Sequence, residues 1–129
     1  MGDRLSESSS DPALVIAVAR RSERALEELF HRYSAQLTAL ARRVVRDEQL
    51  ARDVVQEVFV RLWERPERFD PARGTLRAYL LADAHGRSVD AIRSEVARRG
   101  REAREYESRL LDASPSTGDE AVMNILSAE

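Results

Sequence analysis

Apolar residues recur every three or four positions over most of this chain, and proline, glycine or a short polar cap breaks the recurrence at each change of segment. A period near 3.6 is that of an amphipathic helix and is incompatible with the two-residue alternation of a half-buried strand. From residue 22 onward the stripe Leu26, Leu29, Phe30, Tyr33, Leu37, Leu40, Ala41, Val44 must face a core, with Ser22 available to cap the helix that carries it. Asp47 is placed to cap the next helix, in which Leu50, Val54, Val58 and Leu62 stack at four-residue steps, and Pro66 forbids continuation because its ring clashes with the preceding turn. A shorter helix precedes these. Asp11 offers a capping acceptor, Pro12 suits a first turn, and Leu14, Val15 and Val18 form the apolar face.

Residues 66–74 hold two prolines and a glycine, so neither a helix nor a strand ladder is expected to run through them. Thr75 then caps a fourth helix carried by Leu76, Leu80, Leu81, Ala84, Val89, Ile92 and Val96, charged almost continuously after Arg93 and expected to fray at its end. The predicted fold is all-α, a compact bundle of three to four helices. Residues 1–11 are predicted to be a disordered, serine-rich tail, residues 12–109 the domain, and residues 110–129 a linker in which Val122, Met123, Ile125 and Leu126 begin a further amphipathic turn.

Composition narrows the chemistry. There is no cysteine, and the two histidines, His31 and His85, have no ligand-like spacing, so neither a disulfide nor structural zinc is implied, and no cofactor. The longest apolar run, residues 13–19, is far short of the ~20 residues a membrane span needs. A cytoplasmic location without membrane insertion is expected. Asp53 and Glu57 could do acid–base work in principle, but no nucleophile, metal cluster or phosphate-binding glycine loop accompanies them, so an enzyme is not expected. The net charge of −2 is not that of a free-standing duplex binder, and contact with nucleic acid must be local. Between residues 85 and 104 six arginines stand against three acids, a local surplus of three positive charges.

The run Asp47-Glu48-Gln49-Leu50-Ala51-Arg52-Asp53-Val54-Val55-Gln56-Glu57-Val58-Phe59-Val60-Arg61-Leu62-Trp63 closely resembles the polymerase-binding helix of bacterial sigma factors. It is followed by Phe69-Asp70-Pro71-Ala72-Arg73-Gly74-Thr75-Leu76-Arg77-Ala78-Tyr79-Leu80-Leu81 and Ala84-His85-Gly86-Arg87-Ser88-Val89-Asp90-Ala91-Ile92-Arg93, similar in spacing and order to the promoter-melting segment of the extracytoplasmic-function subgroup. The likeness covers residues 13 to 105, the length of that family's region 2, and the helix-turn-helix module that follows region 2 in the family has no counterpart in these residues.

The resemblance implies a transcription initiation factor that binds core RNA polymerase and recognises and melts the promoter minus-10 element. It assigns Asp53, Gln56, Glu57, Val60 and Trp63 to the clamp helices of the polymerase largest subunit. It assigns Phe69, Asp70, Arg73, Thr75, Arg77, Tyr79, Arg87, Asp90 and Arg93 to the single-stranded non-template DNA, and it implies an anti-sigma partner. The residues suit these roles. Asp53, Gln56 and Glu57 share a helix face, Asp70, Arg73 and Thr75 offer groups for the pairing edge of a flipped base, and Tyr79 offers a ring.

Some positions depart from the family's commonest pattern. Tyr79 stands where tryptophan is usual, Asp83 where an apolar residue is common, and Ser94 and Glu95 where further arginines are common. Asp83 is spaced to pair with Arg87, and Gly86 in mid-helix suggests close approach by another backbone or by DNA. The alternative reading is a helical adaptor or decoy that binds polymerase or an anti-sigma protein without reading DNA.

Overall fold

The computed structural model describes residues 9–112, in two compact units that divide between Ile92 and Arg93. The serine-rich stretch of residues 1–8 and the segment 113–129, with Val122, Met123, Ile125 and Leu126, lie outside the described residues. Four helices, α1 Asp11–Ala19, α2 Glu23–Val45, α3 Glu48–Glu64 and α4 Leu76–Leu111, are joined by short turns. No strand occurs among the described residues, and none of their helices is long and apolar enough to cross a membrane.

Local capping chemistry sets three of the four helix starts where the sequence places them. Ser22 Oγ accepts from the Ala25 amide at 3.2 Å, the Asp47 carboxylate from Leu50 at 2.9 Å, and Thr75 Oγ1 from Ala78 at 3.1 Å. The exception is α1. Its cap is Ser10, whose hydroxyl accepts from the Ala13 amide at 3.2 Å, and Asp11 is the first helical residue. The Asp11 carboxylate is drawn instead to α2, where it pairs with Arg32 at 2.9 Å and accepts a short hydrogen bond from the Tyr33 hydroxyl. Burial, that hydrogen bond and the Asp11 charge together push the Tyr33 phenol up to about 12. It therefore stays a neutral donor, and α1 is tied to α2 by a charge-assisted bond.

In the first unit, α1 and α3 both pack against α2. The core gathers Leu14 and Val18 from α1, Leu29, Leu37 and Ala41 from α2, and Val54, Val58, Phe59 and Leu62 from α3. From α4 it takes Leu76, Leu80 and Ala84, and Ser88 is buried at the next four-residue step. Two expectations about the stripes need correction. Phe30 is 43% exposed and Val96 is 65% exposed, so neither belongs to the core. A 3.6-residue period marks a stripe wider than the strip that the neighbouring helices cover.

The second unit begins in α4 at Arg93, and the helix runs on to Leu111. Glu95 pairs with Arg98 and Arg99, and Arg98 also pairs with Glu102, all three or four residues apart. Each such pair contributes only ~0.2–0.5 kcal/mol, but a series of them supports a helix that has little apolar surface to bury. Arg98's hydrogen bond and charge hold the Glu95 carboxyl below its ordinary value, so its pairs with Arg98 and Arg99 persist to more acidic pH than an unpaired glutamate would allow.

Candidate nucleic-acid and partner surfaces

Pro66 ends α3 and opens a 3-10 turn over Pro66–Arg68, a short helical element within the segment expected to be irregular. The turn steers Phe69 inward. Phe69 is 7% exposed and lies 5.6 Å, centroid to centroid, from the Tyr79 ring at a tilt of 57°. Phe69 thus packs mainly in the core, and its remaining surface contributes to the lining of the cavity that follows.

Beyond Phe69 the chain turns outward. The Asp70 carboxylate accepts from the Ala72 amide at 3.0 Å, and the Asp70 carbonyl accepts from the Arg73 amide at 3.0 Å, which is a side-chain-stabilised turn. Gly74 has φ of 154°, a backbone that a residue with Cβ rarely adopts, and this lets the loop swing back so that Thr75 can cap α4. Asp70, Arg73 and Thr75 are all exposed.

The result is a cavity of about 360 Å³ lined by Arg68, Phe69, Asp70, Arg73, Gly74, Thr75, Ala78 and Tyr79. That volume falls within the ~300–1,000 Å³ typical of small-ligand sites. Its walls combine a carboxylate acceptor, two guanidinium groups and a hydroxyl over an aromatic floor. Burial, reinforced by the negative charge of Asp83, raises the Tyr79 phenol above its ordinary value, so it remains a neutral hydrogen-bonding group. Arg68 is a member that sequence reasoning missed, although its place between Pro66 and the inward-turning Phe69 was the available signal.

The other predicted DNA residues are less concentrated. Arg77 lies outside the cavity lining and donates from Nε to Gln36 of α2 at 2.8 Å. Arg87 bonds to Glu57 of α3 by a short ion pair, and its Nε lies 3.6 Å from Asp83, as the four-residue spacing predicted. Asp90 is exposed on α4, and Arg93 falls in the second unit. Beyond its own turn of α4, no described atom comes within 4 Å of where a Cβ on Gly86 would stand, so close approach by another segment of backbone is not its reason.

Asp53, Gln56 and Glu57 line the exposed side of α3 as expected. Val60, 44% exposed, and the half-buried Trp63 continue that side into a groove of about 520 Å³ between α2 and α3. Leu26, Phe30 and Phe59 supply its apolar floor, with the Phe30 and Phe59 rings edge to face at 5.1 Å. Glu23, Glu27, Gln56 and Glu64 form its polar rim.

An apolar floor inside an acidic rim suits a basic helical partner that brings its own apolar side chains. At the far end Arg21, in a left-handed conformation at φ of 69°, lies 4.9 Å above the Trp63 ring and donates to the Trp63 carbonyl at 2.7 Å. That contact fixes the indole by cation–π attraction and a hydrogen bond. The contribution of α2 was not legible beforehand, because Phe30 reads as one more core residue of a helical stripe.

Comparison with known proteins gives a consistent result. The Sigma-70 region 2 family matches residues 29–98. A protein of Mycobacterium tuberculosis named "ECF RNA polymerase sigma factor SigK" is 33% identical over 115 residues, covering 89% of this chain and 62% of the relative. Proteins of the same name from Mycolicibacterium vanbaalenii and Mycobacterium sp. (strain KMS) are 35% and 34% identical over 92 and 91 residues, covering 71% and 70% of this chain and 47% of each relative. The chain thus spans about half to three fifths of the length of the curated relatives it matches.

Proposed function

We propose, from the premise that this chain belongs to the sigma-70 family of RNA polymerase sigma factors in its extracytoplasmic-function subgroup, that it joins core polymerase to a melted promoter through two neighbouring surfaces. The outer face of α3, with Asp53, Gln56 and Glu57, and the groove edged by Val60 and Trp63 take the clamp helices of the polymerase largest subunit. The cavity around Asp70, Arg73 and Thr75 takes one unpaired base of the non-template minus-10 strand. In this reading residues 12–109 form the region 2 domain, and the chain acts by binding rather than by catalysis.

One observation supports the base-capture role above the others: the cavity is open, polar-walled and floored by aromatic rings, on a loop that its own hydrogen bonds hold in shape. A preorganised loop loses little entropy when it receives a ligand. A stacked base contributes ~1–3 kcal/mol, and a charge-assisted hydrogen bond about 1.5–3 kcal/mol, against a cost of a few kcal/mol for unpairing one base. Captured bases therefore bias the duplex toward opening once polymerase holds the factor in place.

The groove also suits an apolar segment of an anti-sigma protein, which would compete with polymerase. The adaptor reading, in which DNA is never read, is separated from ours by one experiment. Arg68→Ala combined with Arg73→Ala alters two exposed side chains of the cavity wall. Retention on purified core polymerase is expected to be unchanged, while open-complex formation scored by permanganate reactivity falls about tenfold or more. Unchanged opening by the double variant supports the adaptor.

A further inference from the structure

One ion pair joins the two surfaces just described. Glu57 lies on the face of α3 assigned to polymerase, and Arg87 on α4 is assigned to DNA, yet the Glu57 carboxylate and the Arg87 guanidinium are bonded to each other. The pair sits in a cluster of four alternating charges. Arg87 Nε is 3.6 Å and Arg61 Nε 3.5 Å from opposite oxygens of Asp83, so two positive and two negative groups balance.

The members are not equivalent. Glu57's side chain is 57% exposed, whereas those of Asp83 and Arg87 are 19% and 25% exposed. A partner can therefore reach Glu57 without disturbing the rest. Nor does Asp83 satisfy the arginines it attracts, because Arg61 Nε and Arg87 Nε are buried without a hydrogen-bond partner. Glu57 is the acceptor with which Arg87 makes its hydrogen bond.

Charge arithmetic then gives the consequence. While Glu57 is free to pair with Arg87, the cluster is neutral and offers little to a phosphate. When a basic partner claims Glu57, the cluster carries one uncompensated positive charge, and Arg87 has hydrogen-bonding capacity to give away. The geometry points to Glu57 and Arg87 as a charge latch: the carboxylate restrains the guanidinium in the free chain, and docking on polymerase hands it to a phosphate of the single strand.

This rests on the proposed function for the identity of the two partners, and it adds a reason why they bind in concert. Linkage requires the converse as well: single-stranded DNA that occupies Arg87 releases Glu57 and strengthens docking by the same factor.

The test needs no polymerase. The probe is a fluorescein-labelled oligonucleotide of twelve thymidines, whose anisotropy is followed with the full chain over a range of salt. Glu57→Gln, which keeps the shape and removes the charge, is expected to tighten binding about threefold, as breaking one partly exposed ion pair allows. The same variant steepens the salt slope by about 0.7, one added phosphate contact on a single strand. Adding Arg87→Gln to Glu57→Gln cancels both gains.

Glu107→Gln removes an equal charge from an exposed position outside the cluster and controls for net charge. The latch is overturned if Glu57→Gln behaves like Glu107→Gln, or if its gain survives loss of Arg87. Should Arg87→Gln alone weaken binding while Glu57→Gln changes nothing, the latch fails and the DNA role of Arg87 stands. If neither variant moves the affinity or the slope, the assignment of Arg87 to DNA fails with it. Circular dichroism melting of each variant reports whether the bundle is intact.

Discussion

Replacing Asp53 and Glu57 together by arginine is expected to abolish retention on purified core RNA polymerase, weakening it by about a hundredfold or more. Both side chains are exposed, and they stand four residues apart on one face of α3, so reversal places two positive charges where the proposed basic partner would dock. Placing like charges against each other across an interface costs several kcal/mol, and each 1.4 kcal/mol is a factor of ten. The fold is expected to survive, because Asp53 bonds only along its own helix, to Gln49, and the Glu57–Arg87 ion pair that is also lost involves a mostly exposed carboxylate and contributes only ~0–1 kcal/mol. The measurement is a pull-down titration beside a thermal melt. A double variant that melts normally and still binds polymerase at the original affinity removes α3 from the interface.

The second large effect is on stability. Leu80 is fully buried on α4 between Leu76 and Ala84, one residue after the tyrosine that floors the cavity. Leu80→Ala is expected to cost ~2–5 kcal/mol, the loss of transfer energy plus the void left behind. Against a typical total of ~5–15 kcal/mol this is a large fraction, and for a domain of this size it lowers Tm by roughly 15 °C. Ile16→Ala deletes a comparable apolar volume at a residue that is 56% exposed, and is expected to shift Tm by only a degree or two. Equal melting of the two variants contradicts the placement of α4 against the core.

How much of this was legible beforehand follows from the range of the forces involved. Ser22, Asp47 and Thr75 were readable as caps because a cap is satisfied by amides two or three residues away. Ser10 and Asp11 are both good caps. Arg32 and Tyr33, more than twenty residues downstream, decide between them by engaging the Asp11 carboxylate, and no local rule contains that contact.

Aromatic residues show the same limit. Phe30 reads as core and Phe69 as a contact to DNA, whereas the packing leaves Phe30 at a groove and turns most of Phe69 inward. The polar face of α3 was legible from helical spacing, whereas its apolar neighbour on α2 was not. The pairing of Asp83 with Arg87 follows from a four-residue interval. The bond from Arg87 to Glu57 spans thirty positions, and it becomes visible only when α3 and α4 are seen side by side.

In the proposed function, the α2–α3 groove edge meets polymerase and the loop that follows α3 meets DNA. Site-specific photo-crosslinking examines both at once. A benzoylphenylalanine is placed at Val60 in one sample and at Arg73 in another, each assembled with core polymerase and a fork-junction DNA whose single-stranded minus-10 segment is randomised. The Val60 position is predicted to crosslink to the polymerase largest subunit and not to DNA, and the Arg73 position to an unpaired base of the non-template strand. DNA adducts from Val60, or none from Arg73 in complexes that have assembled, would contradict it.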